Sequence, residues 1–210
     1  MSEIWESTFV RSQTMWGLEP TAAARHACDD LVRRGVKNVL VPGVGYGRNA
    51  KPFLDAGMDV TGIEISATAI ELARTELGLD FPIHHGSVTD MPFDDRHYDA
   101  IFSYGLLYLL DAPARAKLLA DCARQLVPGG PMIFTVVSKA WPSYGQGTKL
   151  GEDWYETHPG VRLFFYDEAS LARELGPHGL VDVTTIVETM HDGSARPFLQ
   201  ATCVPSTSPA

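Results

Sequence analysis

Cysteine is scarce in this sequence. Its three copies, Cys28, Cys122 and Cys203, stand too far apart for a CxxC or Cys/His metal spacing, which excludes a zinc module or disulfide scaffold and fits a thiol-keeping cytoplasm. Basic residues are also few. Against 26 Asp and Glu, the 17 Lys and Arg leave a net charge of −9, the wrong sign for a nucleic-acid surface or an anionic membrane. No apolar run approaches a membrane span, and the polar stretch from Met1 to Trp16 lacks the apolar core of a signal peptide. Internal repeats are absent, as are a GKS or GKT after a glycine loop and any tyrosine followed four places later by lysine. What is present is ordinary for a folded enzyme or binding protein. Hydrophobic residues at 45% of a 210-residue chain suffice for one domain with a substantial core, at roughly 150 residues per domain. The expected partner is a small uncharged or cationic molecule, with no nucleic acid and no membrane, in a cytoplasmic monomer or homodimer.

Apolar β-branched runs alternate with helix-period segments along most of the chain. "VKNVLV" (36–41), "MDVTGIEI" (58–65), "FPIHHG", "YDAIFSYG" (98–105) and "PMIFTVVS" (131–138) read as strands. So do "LVDVTTIVE" and "RPFLQATCV". Helices are expected around 20–34, opened by Pro20, and at "RNAKPFLDAG", "ATAIELARTELG" with Ser66 as its cap, "APARAKLLADCARQL" and "DEASLARELG". Strand then helix, repeated, predicts an α/β, doubly wound, mostly parallel sheet covered by helices on both faces. Only the last residues, "STSPA", read as disordered.

In such sheets ligands bind beyond the carboxyl ends of the strands, beside the first strand-to-helix loop. Here that loop is "VPGVGYGRN" (41–49). Gly43, Gly45 and Gly47 can take positive φ and carry no Cβ, so a ligand can lie against bare backbone. Glu64 closes the second strand 21 positions after Gly43, the place from which a carboxylate reaches the two hydroxyls of a ribose. Together they predict a nucleoside ligand. A dinucleotide loop reads GxGxxG, but position 48 is Arg and the third glycine sits one place early. A nicotinamide (NAD(P)-dependent) oxidoreductase is therefore the second reading, and a non-catalytic nucleoside-binding protein the third.

"VLVPGVGYGRNA", "VTGIEIS", "HGSVTDMPFDDRHYDAIFSYGLLYLL" and "LVPGGPMIFTVVS", in this order and spacing, resemble the successive motifs of the class I S-adenosylmethionine-dependent methyltransferases. The resemblance covers about residues 36–138. "MWG" before the core, the VPG loop, "GRN" and the "GIEIS" strand end are similar to the thiopurine and tellurite-resistance methyltransferase-like branch. The resemblance implies a Rossmann-like seven-stranded sheet with its last strand antiparallel, and S-adenosyl-L-methionine as cofactor. It places Gly43, Gly45 and Gly47 beside the methionine part, Glu64 on the ribose, and Ile65 with Ser87 and Val88 around the adenine, with Asn49 also among the cofactor-binding residues. Ser87 stands where the family often has Asp, which leaves Ser87 or Asp90 for the adenine amino group. Ser103 and Tyr104 fall at the methionine end, where the methyl faces its acceptor, and Tyr104 and Tyr108 are the candidates for positioning that acceptor. "FSYGLLYLL" is unlike the NPPY or DPPY stretch of enzymes that methylate exocyclic amines in DNA.

Displacement at a methyl carbon on a sulfonium needs nucleophile and methyl held in line, and no strong acid or base is obligatory. The sulfonium's positive charge favours aromatic faces, for which Trp16 and Tyr104 are candidates. If the acceptor needs a base, Asp153, Tyr155 and His158 are available. His84 and His85 end a strand without a partner at ligand spacing. The organisation expected is one domain over 1–210: an N-terminal cover and helix (1–34), a cofactor-binding core (36–138), a lid (139–165) rich in Gly, Pro and aromatics, and a C-terminal helix with strands (166–204). The cover and lid carry all four tryptophans, Trp5, Trp16, Trp141 and Trp154.

Overall fold

The computed structural model describes residues 2–190 and 193–206; residues 207–210, most of the tail expected to be disordered, lie outside them. In chain order the elements are α1 (Ser2–Ser12), α2 (Ala22–Arg33), β1 (Asn38–Pro42), α3 (Lys51–Asp55), β2 (Asp59–Glu64), α4 (Ala67–Thr75), β3 (Ile83–His85), β4 (Ala100–Tyr104), α5 (Ala112–Arg124) and β5 (Met132–Val137). Then come β6 (Thr148–Gly151), β7 (Trp154–His158), β8 (Val161–Phe164), α6 (Glu168–Leu175), β9 (Leu180–Thr189) and β10 (Ala195–Cys203).

Seven strands form one sheet in the order β3-β2-β1-β4-β5-β10-β9. All pairs up to β5 are parallel, and β10 runs antiparallel to both neighbours. The expected seven-stranded sheet with an antiparallel last strand is therefore observed. Its interior strands are mostly apolar and almost wholly buried because helices cover both faces. In β1, Leu40 packs with Ile63, Ile101, Phe134 and Leu118 on one side, while Val39 and Val41 pack with Phe53, Phe102 and Leu31 on the other, the alternation that a pleated strand imposes. Leu40 is 1% exposed, so cutting it to Ala removes about 2–5 kcal/mol of stability.

Three of the helices, α2, α4 and α5, start at side-chain caps. Thr21 Oγ1 accepts the Ala24 amide at 3.2 Å, Ser66 Oγ the Ala69 amide at 3.1 Å, and Asp111 Oδ1 the Ala114 amide at 2.9 Å, each satisfying an orphan donor of the first turn. The second predicted helix is shorter than its pattern, since only Lys51–Asp55 is helical and Arg48 to Ala50 belong to the loop.

Two regions depart from the expectation. The N-terminal segment holds an additional helix, α1, fixed to the start of α4 by Glu6, whose carboxylate accepts from Ser66 Oγ and Thr68 Oγ1 at 2.6 Å each. The segment 139–165 holds a small antiparallel sheet, β6-β7-β8. It is tied to the body by Lys139, whose ammonium lies 2.7 Å from both Asp153 and Asp167. Asp167 is also the cap of α6, in a reciprocal box with Ser170. α1 and the turn before β8 meet: a Cβ on Gly160 would stand 3.1 Å from Ile4 Cδ1.

Candidate functional site

The order of the sheet reverses between β1 and β4, so their carboxyl ends diverge and leave a crevice. A cavity of about 910 Å³ opens there, at the upper end of the roughly 300–1,000 Å³ of small-molecule sites. The glycine loop forms its floor. All three glycines have positive φ, +69° at Gly43, +57° at Gly45 and +84° at Gly47, a region closed to most side chains. Gly43 and Gly45 face the cavity, and the nearest atom to a Cβ built on Gly45 is Phe9 Cζ at 3.9 Å.

Glu64, at the end of β2, is 6% exposed and lines the same cavity. Its Oε1 accepts the amides of Ile65 and Ser66 at 2.9 Å each, and its Oε2 accepts the Gly45 amide at 2.8 Å. Burial pushes its carboxyl above the usual carboxylate range, against the opposing pull of the Ser66, Gly45 and Ile65 amides. A carboxylate offers about four lone-pair positions. Oε2 makes one bond, which leaves it an acceptor position for a hydroxyl on a ligand. Bare backbone at Gly45 and a spare acceptor on Glu64 fit a ribose-bearing ligand.

Ile65, Ser87 and Val88 line the wall beyond Glu64. Ser87 caps a short 3-10 turn at Val88–Asp90, its Oγ accepting the Thr89 amide at 3.2 Å. Thr89, not Asp90, joins the cavity wall. On the opposite side Trp16 stacks on Tyr46 with ring centroids 6.2 Å apart, and Asn49 Oδ1 accepts from the Thr21 amide and hydroxyl at 3.0 and 3.1 Å. Asn49 thus ties the glycine loop to the start of α2. Tyr104 and Tyr108 also face the cavity. Burial raises both phenols well above their usual value, so both hydroxyls are neutral at physiological pH.

Several sequence expectations are corrected. Gly47 does not line the cavity; a Cβ there would come within 2.8 Å of Leu79 Cδ1, so its bareness serves close packing behind the loop. Ser103 is 1% exposed and donates to the Pro42 carbonyl at 3.1 Å, pinning β4 to β1 behind the wall. None of the candidate bases reaches the cavity. Asp153 is held by Lys139 and by the Tyr144 hydroxyl at 2.7 Å, Tyr155 packs on Tyr144 and Phe165, and His158 is exposed. Trp5, Trp16 and Trp141 line the cavity, but Trp154 lies outside its lining, under the Arg115 guanidinium and edge-on to Phe164. His84 pairs with Asp94 at 3.0 Å. Among the described residues no group of three His, Cys, Asp or Glu stands ready for a metal, and no helix is long and apolar enough to cross a membrane.

One residue was invisible in the sequence. Glu188, near the end of β9, is 5% exposed, lines the cavity, and accepts the Ala22 and Ala23 amides at 2.9 and 2.8 Å. A lone acid in a strand carries no motif, and its partners lie 166 and 165 positions away.

Residues 39–130 match a methyltransferase-domain family. Curated relatives include a demethylmenaquinone methyltransferase of Renibacterium salmoninarum, 32% identical over 52% of this chain and 44% of its own length. Another is a tRNA N(3)-methylcytidine methyltransferase of Drosophila melanogaster, 24% identical over 72% of this chain and 51% of its own. The chain thus spans about half the length of these relatives. Among solved structures, a 1,6-didemethyltoxoflavin-N1-methyltransferase of Burkholderia thailandensis, with its substrate and S-adenosylhomocysteine bound, superposes with a TM-score of 0.74 at 22% identity, over 98% of this chain and 87% of that one. At that identity the likeness establishes a shared fold.

Proposed function

With residues 39–130 matching a methyltransferase domain, we propose that this chain transfers the methyl group of S-adenosyl-L-methionine to a small-molecule acceptor by in-line displacement. The observation that carries the reading is the pairing of Glu64 with Gly45 at the sheet's switch point, on a cavity that continues past them into an aromatic chamber. The solved neighbours holding S-adenosylmethionine or S-adenosylhomocysteine support the same cofactor. Bound there, the cofactor supplies a methyl group on a sulfonium, and the chain's residues do the rest. Glu64 accepts from the ribose hydroxyls, Ile65, Ser87 and Val88 enclose the adenine, and Gly43 and Gly45 let the methionine part approach the backbone. Trp16 offers a π face to the sulfonium charge. Tyr104 and Tyr108 position the acceptor with neutral hydroxyls, and the apolar walls exclude water from the reacting atoms. The described residues lining the chamber include no histidine or lysine, which suits an acceptor that reaches the site with its lone pair available.

The acceptor is a thiol, amine, hydroxyl or chalcogen oxyanion. The Met15-Trp16-Gly17 segment beside the cavity supports the thiopurine and tellurite-resistance-like branch, and the net charge of −9 favours a small molecule over RNA. Residues 139–165, with α1, act as the cover of the acceptor chamber. Isothermal titration with S-adenosylhomocysteine, S-adenosylmethionine and NAD tests the cofactor: binding of the first two without the third supports the reading, and NAD binding alone replaces it with the oxidoreductase. Transfer of radiolabelled methyl to any of the four acceptor classes separates an enzyme from a nucleoside-binding protein.

A further inference from the structure

The acceptor side of the cavity has an unequal charge distribution. Its walls are the rings of Tyr104, Tyr108, Trp141 and Phe198, with Tyr104 and Phe198 centroids 5.5 Å apart and Trp141 edge-on to Phe198 at 4.9 Å. The buried charge among them is Glu188. Each of its oxygens accepts one backbone amide from the start of α2, which fixes the carboxylate and leaves each oxygen a further lone pair. Its charge is felt at Tyr104, whose phenol it pushes up, after burial and Tyr108. The opposing charge is Arg48, which also lines the cavity. It is half-exposed, and its Nη1 donates to the carbonyls of Trp16 and Glu19. Arg48 opposes Glu188 at Tyr104 and is also felt at Tyr108, but water screens the half-exposed Arg48 more than Glu188, which is 5% exposed, so Glu188 is the less screened of the two charges beside Tyr104.

Resting on the methyltransferase reading, we infer that the acceptor is a flat, ring-bearing molecule whose polar edge is a cationic or hydrogen-bond-donating nitrogen, and that Glu188 selects it. Aromatic walls suit a planar ring and favour positive charge over their faces. A buried carboxylate binds an N–H edge and repels an anion. Small oxyanions such as tellurite or selenite meet the opposite of what they require, so amines and N–H heterocycles are the favoured acceptors. Glu188 here is a specificity residue, and no proton transfer is assigned to it.

The test uses three ring probes of one size and different charge, 2-naphthylmethylammonium, 2-naphthol and 2-naphthoate, together with selenite, titrated into protein saturated with S-adenosylhomocysteine. The ammonium is expected to bind about tenfold or more tighter than the naphthoate, with the naphthol between them and selenite unbound. Glu188→Gln should keep its S-adenosylhomocysteine affinity and lose that order. Naphthoate or selenite binding as tightly as the ammonium overturns the inference, as does an order that survives Glu188→Gln. A loss of S-adenosylhomocysteine affinity in folded Glu188→Gln overturns it too, because Glu188 would then belong to the cofactor. Should that variant not fold, the wild-type series alone decides. If S-adenosylhomocysteine fails to bind the wild type, the methyltransferase reading fails separately, and the same probes read Glu188's preference in the free protein.

Discussion

The Glu64 carboxylate accepts the Gly45 amide at 2.8 Å, so the end of one strand and the loop after its neighbour are held by the same group that faces the cavity. Charge-assisted hydrogen bonds to a carboxylate contribute about 1.5–3 kcal/mol each. Glu64→Ala should therefore weaken S-adenosylhomocysteine binding by about 10- to 100-fold, measured by calorimetry with circular dichroism to verify the fold. Unchanged affinity in a folded variant removes Glu64 from the site.

The same carboxyl sets a pH dependence. Burial raises it above its ordinary 4.5 in the free protein, so its contribution to stability is present below that value and is lost as pH rises through the folded one. A ribose needs the ionised acceptor. Cofactor affinity should then be full near neutrality and fall on acidification through a pH above 4.5, a loss absent in Glu64→Ala. Titrations at several pH values between neutral and acidic settle it.

Gly45 sits at φ +57°, where a β-branched residue is strained by about 1–2 kcal/mol, and the methyls of Gly45→Val would project from a Cβ already 3.9 Å from Phe9. Cofactor binding should be lost. Gly57→Val is the control, since Gly57 has φ +78° and open space around it but does not line the cavity. Equal binding by both variants would place the ligand elsewhere.

The tie at Lys139 gives a prediction about the cover. Lys139 with Ser170 holds the Asp167 carboxyl well below the usual range, so Asp167 stabilises the fold at neutral pH, and that contribution is lost as pH falls below the ordinary aspartate value toward the folded one. Lys139→Met leaves Asp153, 8% exposed at its side chain, without its cation, and should cost about 3 kcal/mol. Thermal unfolding measures the loss. A variant as stable as the wild type would show the tie to be idle.

Trypsin tests whether the cover moves. Lys149 and Arg162 lie on β6 and β8, and Trp5, Trp16 and Trp141 report on the cavity wall. Cutting at these sites should be early in the free protein and slow with S-adenosylhomocysteine bound, with a change in tryptophan emission. Identical digestion and emission with and without ligand would make residues 139–165 a fixed wall.

The sequence carried the seven-stranded sheet because its signals are local. Val39 to Val41 form an unbroken apolar run, Ser66 stands where a cap must stand, and Gly43, Gly45 and Glu64 follow from the strand-loop-strand order. The small sheet was hidden for physical reasons. Every residue of β6 is exposed, so no alternation marks it, and the β6–β7 turn places Asp153, not a glycine, at φ +56°. Ser103 and Gly47 were misplaced because motif position gives a neighbourhood in the chain, whereas facing the cavity or backing it depends on the strand's pleat and on Leu79 packing behind the loop. Glu188 was missed because it acquires meaning only when β9 pairs with β10 beside α2.

That clasp between Glu188 and the Ala22 and Ala23 amides also orders events in time. A ribosome working at roughly 5–20 residues per second makes Tyr104 about 4 to 17 seconds before it reaches position 188, and the glycine loop and Glu64 earlier still. During that interval β9 is incomplete and β10 is missing, so Tyr104, and Val137 once made, lack the covering ring of Phe198. The nascent chain therefore shows chaperones an aromatic wall that the finished protein turns inward.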